Sequence, residues 1–279
     1  MEKLLLDYCL LQHRNIGHYL SLCVERAEAE SVHQLRVSIK KFRAISKLLE
    51  YFLPEGSYEN REQLAKLRAL FKLAGQLRDA QVQVILFNYY QSELNFEATD
   101  FQYFLRKAEQ SAFKKFHSGF ASYGRYIAEK PFKKLNHNLL KQSPDEAFRL
   151  QATKLLEKRL MKLKKIIQTV DSDSDMHKIR IQLKQLRYMV SALSENDVCF
   201  EPFSLAIAEL RLTEIQLGRW HDLTVFRETI GRYIGRKQKK SNSAVSDILT
   251  LNGAVTIDIE MFRRQILELF RQFNAAQAT

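Results

Sequence analysis

A basic segment led by histidine occurs twice in this chain, and this duplication constrains the fold more than any other feature. The pattern His-x-x-Arg-x-x-x-Lys-x-x-Arg at residues 33–43 returns at residues 177–187, an offset of 144. Behind it, the pattern Gly-x-x-x-Asp at residues 75–79 returns at residues 218–222, an offset of 143. Matches that keep their order and nearly keep their spacing indicate an internal duplication.

Composition predicts that both copies are helical. The chain has only 9 Gly and 4 Pro among its 279 residues, too few for the turns of a strand-rich fold. Long stretches are dominated by Leu, Lys, Arg, Glu, Gln and Ala, which favour helices. The predicted helices cover residues 2–29, 31–53, 59–92 and 98–120, then 147–169, 175–195, 202–235 and 245–274.

Local signals predict several helix ends. Pro54 and Gly56 end the second predicted helix, and Pro202 lies in the first turn of the seventh. The run Asp-Ser-Asp-Ser-Asp at residues 171–175 offers N-cap residues just before the second histidine-led segment. The polar run at residues 236–243 predicts an exposed loop.

The duplication predicts an all-α fold of two antiparallel four-helix bundles, related by an internal pseudo-two-fold repeat. The first half covers residues 1–120, residues 121–145 connect the halves, and the second half covers residues 146–279. A core shared by the two halves is equally compatible with the spacing.

The basic residues of each copy lie on one face of their helix. At about 100° per residue, each set falls within an arc of about 80°. The first basic stripe consists of His33, Arg36, Lys40, Arg43 and Lys47, and the second consists of His177, Arg180, Lys184 and Arg187. No carboxylate lies between residues 31 and 49 or between residues 176 and 193. Because like charges at this spacing cost a helix about 0.2–0.5 kcal/mol per pair, the stripes need an external reason.

These side chains suit phosphate. The planar fork of Arg binds two phosphate oxygens, Lys supplies an adaptable charge, and His beside phosphate is favoured in its cationic form. Cations about 5–6 Å apart along a helix can meet successive groups of an extended polyanion. A single basic cluster could equally be an ordinary solvated surface with no ligand. The same pattern occurs twice, each time without acidic residues, which argues against that interpretation.

Residues outside the stripes extend the predicted site. Arg68 and Arg211 correspond at the offset of 143 and are predicted to bind the same polyanion. Asp79 and Asp222 are predicted to orient the cations, with an ordinary structural ion pair as the alternative. Further candidates on matched or neighbouring helix faces are Arg14, Lys72, Lys107, Lys114, Lys158, Lys162, Arg264 and Arg271.

Other sequence features disfavour several function classes. A net charge of +12 suits a polyanionic partner. The 3 Cys residues lack Cys-x-x-Cys spacing, which predicts neither a disulfide framework nor a zinc site and favours a reducing, cytoplasmic location. No stretch approaches the roughly 20 apolar residues of a membrane span. Without a Gly-rich phosphate loop, a His-Glu-x-x-His motif or a magnesium-binding acid pair, we expect no metal, no cofactor and no catalytic residue.

The two duplicated motifs together resemble the CHAD family, the conserved histidine α-helical domain, over nearly the whole chain. The resemblance implies two four-helix bundles around a basic groove or pore that binds inorganic polyphosphate, and association with polyphosphate granules. It also implies that both basic stripes, with Arg68 and Arg211, hold the polymer. The second Gly-x-x-x-Asp motif departs from the first, since His221 stands where the first copy has Arg78.

Two alternatives remain open from the sequence. A nucleic-acid-binding protein would also be basic, but most of the 18 Phe and 11 Tyr fall at core spacing, which disfavours stacking on bases. A phosphotransfer enzyme acting on polyphosphate or nucleotides would use His33 or His177 as the phosphoryl acceptor. The oligomeric state is not predicted.

Overall fold

A computed structural model describes residues 2–52, 61–124, 145–194, 200–238 and 246–276. Within these ranges the chain forms helices and no strand, so the predicted all-α class is confirmed. The helices are α1 (Glu2–Glu25), α2 (Ala29–Phe52), α3 (Arg61–Leu94), α4 (Thr99–Gly119), α5 (Asp145–Gln168), α6 (Asp173–Ser194), α7 (Glu201–Glu209), α8 (Arg211–Gln238) and α9 (Ser246–Ala276). A π-helical segment, Phe120–Gly124, follows α4.

One predicted helix is two helices in the structure. The sequence predicts a single helix over residues 202–235, whereas α7 ends at Glu209 and α8 begins at Arg211. Leu210 between them has φ −86° and ψ 4°, a turn conformation, and its side chain is buried. Neither Gly nor Pro stands at this position, so local sequence gives no signal of the break. Pro202 lies in the first turn of α7, as predicted.

The prediction that residues 236–243 form a loop is wrong for the first residues of that run. Arg236 and Lys237 belong to the last turn of α8, where Lys237 Nζ lies 2.6 Å from Asp100 Oδ2. Arg236 stands over the Phe104 ring at 5.4 Å. These contacts within one compact unit hold the polar end of α8 in the helix. Residues 239–245, the predicted helix end at Pro54 and Gly56, and residues 125–144 of the predicted connection lie outside the described residues.

The chain divides into two compact units that do not coincide with the sequence halves. The first unit contains residues 1–75 and 114–210, and the second contains residues 76–113 and 211–279. In the first unit, α2 packs against α1 and also directly against α6, which comes from the other sequence half. The packing does not confirm two separate four-helix bundles, and that arrangement stays a prediction.

The core of the first unit fixes which face of α2 carries the stripe. Leu35, Ile39, Phe42, Ile45 and Leu48 are all completely buried, as the apolar spacing predicts. On α6, Ile179, Leu183, Leu186, Met189 and Leu193 are similarly buried. A helix buried over so much of its surface leaves only a narrow strip for polar side chains, and each basic stripe occupies that strip.

The second unit is built on aromatic packing. The Phe101 ring lies 5.5 Å from Phe87 and 4.9 Å from Tyr233, centroid to centroid. Tyr90 donates a short hydrogen bond to Asp258, and burial followed by this carboxylate raises the pKa of Tyr90. Much of the aromatic content of the chain is therefore used in packing. None of the described helices combines the length and hydropathy needed to cross a bilayer.

Candidate functional site

Both basic stripes have the same order of exposure over their first four residues. His33 and His177, at the start of each stripe, are exposed, while Arg36, Lys40, Arg43, Arg180, Lys184 and Arg187 are half-buried. A half-buried Arg or Lys packs its stem against the protein and presents its charged head to solvent. The duplicated sequence thus corresponds to a duplicated pattern of exposure on two helices that pack against each other.

The second stripe begins directly after a capped helix end. Ser172 precedes α6, and its hydroxyl accepts a hydrogen bond from the Asp175 backbone N–H at 3.2 Å. The Asp175 carboxylate accepts hydrogen bonds from Lys178 Nζ at 2.9 Å and from the Ser172 hydroxyl at 2.6 Å. These two bonds lower the pKa of Asp175. The acid that precedes the stripe most closely is therefore engaged by a lysine on another face of α6.

An aromatic ring on α3 underlies the first stripe. The charged groups of three stripe residues stand over the ring of Phe71, with Arg36 Cζ at 4.6 Å, Arg43 Cζ at 5.5 Å and Lys40 Nζ at 5.9 Å from its centroid. Arg36 also donates a hydrogen bond from Nη1 to the Phe71 carbonyl at 3.4 Å. The electron-rich ring face attracts cations, which offsets part of their mutual repulsion. Phe71 therefore orders the cations without neutralising them.

Gly75 gives the Arg36 guanidinium its space. A Cβ built on Gly75 would overlap Arg36 Nη1 and lie 3.5 Å from Arg36 Cζ. The repeat-related glycine, Gly218, has no such neighbour within 4 Å. Of the two repeat-related glycines, only Gly75 is therefore closely approached by a basic side chain.

We expect Gly75→Ala to weaken polyanion binding by about three- to tenfold, about 0.7–1.4 kcal/mol. The added methyl displaces Arg36 from the Phe71 ring, although Ala favours a helix over Gly by up to about 1 kcal/mol. Titration with long-chain polyphosphate, the ligand that the family resemblance implies, gives the affinity, and thermal unfolding gives the stability.

Gly218→Ala is the matched control for this substitution. With open space at its Cβ, it should keep the wild-type affinity and gain up to about 1 kcal/mol of stability. Equal affinities for Gly75→Ala and wild type would mean that the position of Arg36 against Gly75 has no role in binding.

A dense cationic cluster lies at the C-terminal end of the first stripe. It consists of Arg43 and Lys47 on α2, Arg68 on α3 and Arg159 on α5. Partial burial and then the charges of Arg159 and Arg43 lower the pKa of Lys47, while Glu50 raises it and Arg68 lowers it by smaller amounts. Burial and then Arg68 lower the pKa of Arg43. Among the described residues, none of the four forms an ion pair with a carboxylate.

The corresponding charges in the second copy have different surroundings. Partial burial and then Arg180 lower the pKa of His177, which favours the neutral ring until an anion approaches. The Arg187 guanidinium lies 4.5 Å from the centroid of the buried Tyr188 ring. In the second unit, Arg211 Nη1 lies 3.4 Å from Oε2 of Glu214, a buried carboxylate at the position equivalent to Phe71.

The other predicted site residues are spread over both units. Arg14, Lys72, Lys114, Lys158 and Lys162 are exposed in the first unit, and Lys107, Arg264 and Arg271 are exposed in the second. Arg271 lies 3.1 Å from Glu268. Asp79 and Asp222 both lie in the second unit, and their orienting role stays a prediction. Across the described ranges, no group of three or more His, Cys, Asp and Glu side chains is placed to hold a metal ion.

Sequence reasoning missed Phe71 and Arg159. Phe71 lies one turn after Arg68, but the repeat gives no signal for it because the equivalent position holds Glu214. Arg159 follows Lys158, which the repeat does identify, and the equivalent of Arg159 is Asn15. Side-chain contacts between α2 and α3 bring Phe71 to the first stripe, and the packing of α2 against α5 brings Arg159 there.

Comparisons with known proteins address the family and the fold of this chain. The model of the CHAD domain family matches residues 12–237. Among solved structures, the CHAD domain from the plant Ricinus communis superposes with a TM-score of 0.70 at 18% identity, over 98% of this chain and 91% of that one. PptA from Streptomyces chartreusis gives a TM-score of 0.67 at 13% identity, over 97% of this chain and 99% of that one.

A search of the curated proteins found no match. At these identities the two solved structures establish the fold, while the family model spans well over half of the sequence and includes both histidine-led segments. The chain therefore belongs to the CHAD domain family.

Proposed function

We propose that this protein binds inorganic polyphosphate without chemically changing it, using the first and second basic stripes of the first unit. The observation that carries the proposal is the direct packing of α2 against α6, the two helices that bear the stripes. Packed helices lie about 8–10 Å apart, so cations on both can reach one extended polyanion. Localisation to polyphosphate granules in the cytoplasm is part of the proposal.

The state of the cations supports binding of an anion over a purely structural role. The cationic cluster beside the first stripe has no carboxylate ion pair among the described residues, and Phe71 holds three stripe cations without cancelling their charge. A bound polyanion would relieve the repulsion. Its phosphates would also raise the lowered pKa of His177, so that binding takes up a proton.

Titration with long-chain polyphosphate at several salt concentrations tests the proposal. We expect saturable binding whose logarithmic affinity falls linearly with the logarithm of salt concentration, because binding releases counterions. Competition with single-stranded RNA and duplex DNA then separates the two polyanion classes, and polyphosphate should displace both.

Stronger binding of either nucleic acid would favour the alternative class and contradict the proposal. Release of inorganic phosphate, or a phosphohistidine at His33 or His177, would instead identify the protein as a phosphotransfer enzyme. After incubation of the protein with polyphosphate, the released phosphate and any phosphohistidine can be measured in the same samples.

A further inference from the structure

The two copies of the basic stripe differ most at the C-terminal end of the first one. Lys47 corresponds to Ser191, Arg159 corresponds to Asn15, and Arg68 corresponds to Arg211, which pairs with Glu214 at 3.4 Å. The cationic cluster of Arg43, Lys47, Arg68 and Arg159 is thus found on one side of the duplication only. Its equivalent in the other copy lacks two cations and has a third one neutralised.

The cluster also differs from the stripes in geometry. Each stripe is a row along one helix, which suits successive units of a chain. The cluster draws its cations from α2, α3 and α5, three helices of the first unit, and the charges of Arg43, Arg68 and Arg159 all act on Lys47. Arg43 stands over the ring of Phe71, and Phe71 lies one helical turn after Arg68 on α3. The packing of α2 against α5 brings Lys47 close enough to Arg159 for the two charges to interact. Convergent cations suit a compact, highly charged group.

Arg159 has a spare donor in this cluster. Its Nε is buried from solvent and donates to no acceptor among the described residues. A buried N–H without a partner costs about 1–3 kcal/mol, so the position favours a ligand that supplies an acceptor. A phosphate oxygen provides one and brings charge as well.

Linear condensed phosphates have one group that fits these requirements better than the rest. An internal unit of the chain carries one ionised oxygen, whereas a terminal phosphate carries a second ionisable oxygen with a pKa near 6, as phosphate monoesters do. The terminal group therefore has the highest local charge and the most acceptors. Four cations without a carboxylate ion pair among the described residues match that group better than an internal unit.

We infer that Arg43, Lys47, Arg68 and Arg159 form a subsite for the terminal phosphate of a linear condensed phosphate. The inference rests on the proposed function and deepens it, because it gives the polymer one anchored end. The rest of the polyphosphate then extends from the cluster along the first stripe, from Arg43 towards His33. A cyclic phosphate has no terminal group, so it would bind along the stripes without an anchored end.

Linear tripolyphosphate and cyclic hexaphosphate distinguish end binding from general attraction. The ring carries more total charge but has no terminal group, so charge alone would favour the ring. We expect calorimetric titration to give at least about tenfold tighter binding of the linear compound, about 1.4 kcal/mol. Equal or tighter binding of the ring to the wild-type protein would overturn the inference.

The double variant Lys47→Ser/Arg159→Asn gives the first copy the residues of the second. It should lose about tenfold or more in affinity for tripolyphosphate and lose the preference over the ring. The matched control, Lys41→Ser/Lys154→Asn, removes the same charge from α2 and α5 outside the cluster and should keep the preference. An unchanged preference in the double variant would overturn the inference.

Folding and function are tested separately in this design. Removing two repelling cations should leave the melting temperature unchanged or higher, and Lys47→Ser alone serves if Arg159→Asn impairs folding. If the wild-type protein fails to bind long-chain polyphosphate, the proposed function is wrong. If it binds the long chain but does not distinguish linear from cyclic compounds, only the end-binding inference is wrong.

Discussion

The double substitution Arg36→Ala/Arg180→Ala is expected to weaken binding of long-chain polyphosphate by about 100-fold or more. Each Arg occupies the same position in its stripe, and both are half-buried, so their heads are held at the surface by packing. A hydrogen bond to a charged group contributes about 1.5–3 kcal/mol, and two such losses amount to about 3–6 kcal/mol. Each factor of ten in affinity corresponds to about 1.4 kcal/mol.

The matched control for this variant is Lys41→Ala/Lys178→Ala. It removes the same two charges from the same two helices, α2 and α6, but from faces outside the stripes. Lys178 is already engaged with Asp175 at 2.9 Å. We expect the control to lose less than about tenfold, through the reduced net charge alone. Equal losses in the two double variants at low salt would mean that net charge, and not the stripes, determines binding.

The stripes were predictable because their information is local. A helix places residues three and four apart on one face, so the positions of Arg36, Lys40 and Arg43 follow from the sequence once the helix is identified. The duplication then removes much of the ambiguity, because a second copy with the same spacing and the same lack of acids is not expected of an arbitrary solvated surface. In the structure, the basic residues of both stripes are exposed or half-buried, while the apolar residues between them are mostly buried.

The parts that were not predictable depend on contacts between distant segments. Phe71 reaches three cations from another helix, and Arg159 approaches Lys47 across more than a hundred residues of sequence. Direct packing of α2 against α6 likewise joins the two sequence halves, and spacing did not decide between that arrangement and two independent bundles. The helix break at Leu210 was also not predictable from local sequence, because the residue there is a buried Leu and not a Gly or Pro.

Phe71 offers the sharpest test of how the site keeps its charge available. The equivalent residue of the second copy is Glu214, a buried carboxylate 3.4 Å from Arg211. Phe71→Glu introduces that residue type into the first copy, where the heads of Arg36, Lys40 and Arg43 lie 4.6–5.9 Å from the ring centroid. An internal carboxylate would compete with phosphate for all three cations.

We therefore expect Phe71→Glu to lower polyphosphate affinity by at least about tenfold, close to 1.4 kcal/mol. Loss of the half-buried ring destabilises the fold, but new ion pairs of up to about 1 kcal/mol each offset part of that loss. Titration with long-chain polyphosphate measures the affinity, and thermal unfolding measures the opposing stability terms.

Two further variants separate the charge from the loss of the ring. Phe71→Leu keeps an apolar side chain, and Phe71→Gln has nearly the shape of Glu without its charge. Each loses the cation–π attraction, about 0.5–1 kcal/mol per contact at an exposed site, so a decrease of only a few-fold is expected. If Phe71→Gln weakened binding as much as Phe71→Glu, the ring itself would be essential. If Phe71→Glu bound normally, the cations over Phe71 would not be the ones that hold the polymer.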